Sequence, residues 1–292
     1  MDTGVLQEVK EINVMFAWVQ EKCQEGKRIF DYFRLLSMRN YCFWFFLFVS
    51  FVKAQEIQKP RTIHVFVALC DNTNQGIVPV SKTLGNGQDP KNNLYWGALY
   101  GVKTHFKKSK DWVYIKTIKT RNTQILDRVL FKHKATNTYL LADAYDGKYI
   151  KQTTIDFFEA SSGAEEQKII YETQELCFGG GASLVAYVGH DGLMEFSIDN
   201  SFKPHNNEPR DAIMLACVSK NYFEPYLKKT GANPLVWSTG LMSPEAYTLK
   251  GAIDGWILQE TDLEIRERAA KAYHQYQKCG MRGARNLLVT GY

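Results

Sequence analysis

Four apolar runs restrict what this chain can fold into: Thr62–Leu69 (TIHVFVAL), Leu184–Gly189 (LVAYVG), Ala212–Ala216 (AIMLA) and Pro234–Thr239 (PLVWST). Each has the length of a strand and is apolar at nearly every position, so as a strand it must be covered on both faces. Between and after them lie segments with apolar residues at three- and four-residue spacing: Leu94–Phe106, Tyr149–Ser161, Tyr222–Lys229, Ala246–Leu258 and Leu263–Lys278. Buried strands alternating with helices predict one α/β domain with a mainly parallel sheet. Shorter strands are expected at Asp111–Lys119, whose alternation suits an outer strand or hairpin arm, and at Val129–Lys132, Tyr139–Ala144 and Leu193–Ile198. Thr73–Asn93, with Gly76, Pro79, Gly85, Gly87 and Pro90, reads as a long loop of the sort that carries function beside a strand end.

Two of the apolar runs stop on residues that can do chemistry. The first leads into His190 and the second into Cys217. Carboxyl ends of parallel strands line a shared crevice, so the pair can meet there as a nucleophile and its proton-transfer partner. Gly192, after Asp191, allows a sharp turn that presents backbone N–H groups to a ligand. Ser219 reads as a helix N-cap, and a thiol near a helix start sits in a field that favours thiolate. Each residue also has a plainer reading, Cys217 as a small buried hydrophobe and His190 as a hydrogen-bonded structural residue. Their joint placement on successive strand ends, with Gly192 alongside, favours catalysis.

The N-terminal region carries a secretory pattern. In Met38–Gln55 (MRNYCFWFFLFVSFVKAQ), Arg39 precedes an apolar core, Tyr41–Val52, and Val52-Lys53-Ala54 fits a cleavage site. The core is shorter than the roughly 20 residues of a spanning helix. We therefore expect residues 1–37 to be an upstream extension, 38–54 a signal peptide, and 55–292 the mature domain, secreted or periplasmic after cleavage near Ala54, with no stable membrane span. The net charge of +5, from 36 basic and 31 acidic residues, comes without any basic run interleaved with aromatics, so a nucleic-acid partner is not expected.

Beyond residue 54 the cysteines are Cys70, Cys177, Cys217 and Cys279. Export would favour pairing; a nucleophilic Cys217 stays free, and Cys177 with Cys279 is the expected bridge, with Cys70 near Cys217. The triple glycine Gly179-Gly180-Gly181 precedes a strand and no GKS or GKT follows, so it is no phosphate loop. There is no G-x-S-x-G elbow for a serine hydrolase, and no HExxH or CxxC for a metal.

Gly189-His190-Asp191-Gly192 at one strand end and Ala216-Cys217 at the next, histidine first, resemble the caspase-like cysteine peptidases. The resemblance implies a three-layer α/β/α sandwich and endopeptidase activity on a peptide or protein substrate; no cofactor is expected, and no metal either, since the histidines are scattered and nothing forms a recognisable calcium loop. It implies His190 and Cys217 as the catalytic dyad, and an oxyanion hole from the Cys217 N–H with that of Asp191 or Gly192. The family has His-Gly directly, whereas Asp191 is interposed here, and the Gln-Ala-Cys-Arg-Gly signature is lacking; the match is to a distant member. Asp71, Trp237 and Ser238 are expected to meet substrate, with Asp71 or Asp191 offering a preference for a basic residue. The competing reading is a non-catalytic binding module on the same scaffold.

Overall fold

The computed structural model describes residues 59–292; the expected extension, signal peptide and cleavage site lie outside them. The apolar runs become strands of one eight-stranded sheet. In chain order the large-sheet strands are β1 (Arg61–Ala68), β2 (Trp112–Thr117), β3 (Ile125–His133), β4 (Thr138–Tyr145), β7 (Leu184–Val188), β8 (Asp211–Leu215), β9 (Asn233–Ser238) and β10 (Leu288–Val289), with β5 (Glu166–Tyr171) and β6 (Gln174–Gly179) forming a separate hairpin. The order across the sheet is β10-β9-β8-β7-β1-β4-β3-β2. The five strands from β9 to β4 run parallel, while β10, β3 and β2 are antiparallel to their neighbours. The sheet is thus mixed, not mainly parallel as expected, because the short strands read at 111–144 form an antiparallel meander on β4 instead of crossing over.

The parallel strands are buried on both faces, as their composition demands. Ile63, Val65 and Val67 of β1 face one apolar cluster, completed by α1 (Val102–Lys108), α4 (Ala246–Ile257), α5 (Asp262–Gln277) and α6 (Met281–Leu287). Phe66 and Ala68 face a second, completed by α2 (Ile150–Ser162) and α3 (Ser219–Thr230). The helix expected over Leu94–Phe106 forms only from Val102. Upstream of it, Gly97 and Gly101 fold the chain onto the backbones of Lys91 and Trp96, where a β-carbon at either glycine would overlap main-chain atoms. No helix among the described residues is long and apolar enough to cross a membrane.

One polar network lies inside this apolar frame and ties β1, β3, β4 and β6 together. The Asp143 carboxylate receives both Nε and Nη2 of Arg128, each at 2.6 Å, and lies 3.0 Å from His64 Nε2. The Gly179 N–H donates to His64 Nδ1 at 3.0 Å, so the ring proton sits on Nε2 and is donated to Asp143. Burial holds His64 below the usual histidine range, whereas the His64 and Arg128 bonds outweigh burial and hold Asp143 ionised. Removing one member of a buried ion pair leaves the other unpaired, at a cost of about 3–5 kcal/mol. Asp143→Ala should lose stability of that order in urea denaturation at pH 7, and a loss under ~1 kcal/mol would contradict the assignment.

Candidate active site

β7 and β8 pair in parallel with Val188 opposite Leu215. His190 and Cys217 each lie two residues beyond that pair, so the chain delivers them at equivalent points on neighbouring strands about 4.8 Å apart. Alternation also puts them on one face. Ala186 and Val188, like Ile213 and Leu215, belong to the first apolar cluster, and His190 and Cys217 continue the two series. Both line a cleft of about 340 Å³. Its walls come from the loop after β1 (Ile77, Val80) and the loop after β9 (Met242, Pro244). The cleft opens at the carboxyl ends of β1, β7, β8 and β9, where the chain switches from one side of β1 to the other, the usual place for a ligand in such a sheet.

The backbone around His190 is fixed by two hydrogen bonds. The Tyr187 hydroxyl donates to the His190 carbonyl at 2.8 Å, and the Gly189 N–H donates to Leu215 O at 3.2 Å. Gly189 has φ +154°, and a β-carbon there would press on the Ala68 carbonyl, so the approach to β1 needs glycine. His190 Nε2 lies 2.5 Å from Glu195 Oε1. The same oxygen accepts the Gly76 N–H at 2.7 Å, and a β-carbon at Gly76 would overlap that carboxylate. Glu195 therefore orients the imidazole and ties the loop after β1 to it.

The sequence reading missed Glu195 because it took Leu193–Ile198 for a strand, which would carry the residue away from His190. Gly192–Met194 instead forms a 3₁₀ turn, nucleated by Asp191 Oδ1 accepting the Leu193 N–H at 3.0 Å. The signal was present in Asp191-Gly192, a pair whose side chain and backbone freedom favour a turn.

Cys217 is half-buried. Its thiol donates to Met242 O at 3.5 Å and accepts the Met242 N–H at 3.4 Å. Burial pushes the thiol up and the Asp191 charge adds to this, against the opposing Met242 N–H. The resting sulfur is therefore a neutral thiol, not the thiolate expected from a helix start. Val218, not Ser219, is the N-cap of α3, and it has φ 51°. A β-branched residue in the left-handed region is strained, by about 1–2 kcal/mol. The turn is pinned by the Val218 N–H to Gly240 O at 2.9 Å and by the Ser219 hydroxyl to Met214 O at 2.9 Å. No hydrogen bond joins His190 to Cys217. The backbone N–H groups of Asp191, Gly192 and Cys217 have no acceptor among the described residues.

The residues expected to meet substrate lie elsewhere. Asp71 is buried and knits its own loop, with Oδ1 accepting the N–H groups of Thr73 and Asn74 and Oδ2 the amides of Asn74 and Gln88. Burial raises its carboxyl, but these bonds win and hold it below the usual range. Trp237 is fully buried in the second cluster, across the sheet from the cleft. The Ser238 hydroxyl donates to Ala216 O and accepts the Ser219 N–H, so it braces the turn that carries Cys217. The four described cysteines are free. Cys177 lies on the β5–β6 hairpin and Cys279 beyond α5, and the expected bridge between them is absent. Cys70 is buried at the end of β1, and burial pushes its thiol up to about 11.

No family model, no curated protein and no solved structure matches the chain.

Asp191 itself is fully buried and its Oδ2 has no partner among the described residues. Burial pushes its carboxyl up to about 7. A carboxyl raised on folding contributes stability that is fully present below about pH 4 and is lost as pH rises through about 7. The loss is at most ~4 kcal/mol at ~1.4 kcal/mol per pK unit. Asp191→Asn keeps the acceptor for Leu193, so urea denaturation between pH 4 and 8 should show a flatter profile than the wild type. Parallel profiles would show that Asp191 is ionised throughout.

Proposed function

We propose that this chain is a cysteine endopeptidase of the caspase-like type, built on a three-layer α/β/α sandwich. The observation that carries the reading is the placement of His190 and Cys217, each two residues beyond the paired Val188 and Leu215 of adjacent parallel strands, in the lining of one cleft. Glu195 supports it by fixing the imidazole: with Nε2–H donated to the carboxylate, Nδ1 keeps its lone pair for the thiol proton.

Because the resting thiol is neutral, Cys217 gives its proton to His190 as Sγ attacks the scissile carbonyl. The tetrahedral oxyanion is met by the Cys217 N–H and that of Gly192 or Asp191, donors with no acceptor among the described residues; each such donor is worth about 10²–10³ in rate. The carbon–nitrogen bond breaks, His190 protonates the departing amine, and a thioester remains on Cys217. Water then attacks the thioester while His190 takes its proton and returns it to sulfur, releasing the acid product and restoring the thiol.

A non-catalytic peptide-binding module is the second reading, favoured by one observation: the thiol rests on the Met242 backbone and not on His190. Turnover of a fluorogenic peptide library separates the two. The peptidase reading predicts cleavage that vanishes in Cys217→Ala and falls about 10²–10⁴-fold in kcat in His190→Ala. Glu195→Gln should lower kcat with little change in KM, since it alters the orientation of the base and not the cleft walls. Peptides bound but not cut by the folded chain would establish the binding module.

A further inference from the structure

We infer that the cleft beside Cys217 selects a neutral, apolar side chain on the residue whose carbonyl is attacked; the inference rests on the peptidase reading above. Among the described residues no lysine or arginine lines the cleft, so an acidic substrate residue finds no counter-ion from them there. Besides the dyad, its ionisable groups are Tyr95 and Glu245. The Tyr95 hydroxyl is buried, and burial keeps it neutral. Glu245 Oε2 accepts the Tyr247 hydroxyl at 2.8 Å and the Gln277 amide at 3.5 Å, and burial pushes its carboxyl up. A basic residue would thus trade bulk water for apolar walls and one carboxylate already engaged, an unfavourable exchange.

The walls and rim make the positive case. Ile77, Leu94 and Met242 line the interior. At the rim of the same cleft, Met194 is 42% exposed, Leu241 74% and Val78 87%. Apolar groups gathered around one opening mark a surface that gains when something apolar covers it, at roughly 25 cal/mol per Å² removed from water. A volume of about 340 Å³ admits a leucine, methionine or phenylalanine side chain.

The test uses the full chain and four peptidyl acyloxymethyl ketones that differ only in the residue bearing the reactive group: leucine, arginine, aspartate or asparagine. In each, the Cys217 sulfur displaces the carboxylate leaving group, and the rate of adduct formation is followed by intact mass. The leucine probe should label Cys217 at least ~10-fold faster than the other three, the scale on which apolar pockets discriminate. Leu241→Asp and Val78→Asp, at exposed positions, should each slow it about tenfold with unchanged thermal unfolding midpoints. Faster labelling by arginine, aspartate or asparagine would overturn the specificity while leaving the peptidase reading intact. Failure of all four probes to modify Cys217 would overturn both.

Discussion

Parallel pairing of β7 with β8, on a β7 that also pairs with β1, determines where everything else at the site can stand. Three neighbouring strands ending at one level leave their following residues on one rim, and the alternation of the strand decides which of them face the same way. His190 and Cys217, each two residues beyond the last β7–β8 pair, both reach the cleft, while Asp191, one residue further on, is buried. The close approach of β7 to β1 needs a residue without a side chain, and Gly189 supplies it against Ala68. The loop after β1 then reaches the dyad through Gly76 and Glu195, so the scaffold and the imidazole are positioned by the same contacts.

The chemistry of the site is set by how little water and how few charges surround it. Burial keeps the Cys217 thiol protonated at rest, so reactivity depends on proton removal at the moment of attack and not on a standing thiolate. That places the burden on a correctly oriented base, which is the part Glu195 plays. The strained Val218 backbone and the Ser219–Ser238 hydroxyl pair hold the turn that presents the sulfur. Strain of this kind persists only where the surroundings over-determine it, and here bonds to Gly240, Met214 and Ala216 do so.

Much of this was legible in the residues. Runs apolar at nearly every position read correctly as doubly covered strands, and the chemistry-bearing residues at their ends were found because a strand end is marked by an abrupt change of composition. Edges were harder to read. Ile125–His133 alternates only in part, and nothing local says whether it crosses over or folds back, so of the antiparallel meander on β4 only β2, read as an outer strand or hairpin arm, was anticipated. The hairpin of β5 and β6 was missed for a related reason, because a half-exposed two-stranded ribbon carries little apolar signal. Side-chain roles that depend on through-space partners escaped altogether. Asp71 and Ser238 looked available at strand ends, yet each is consumed by backbone N–H or carbonyl groups of its neighbourhood. Trp237 has the parity of the far face, which one-residue irregularity in the β8–β9 register concealed. Glu195 became visible only once the chain was known to turn at Gly192.

The central claim is that Cys217 and His190 act as one nucleophile-and-base pair, and the covalent intermediate tests it most directly. Rapid quenching in acid during turnover of a peptide ester, followed by intact mass and fragment mapping, would show whether an acyl group resides on the protein and where. The account predicts a thioester on Cys217 that forms within the first turnover, is absent in Cys217→Ala, and forms far more slowly in His190→Ala. Turnover with no acyl group on the protein, or with the acyl group on the exposed Cys279 instead, would contradict it.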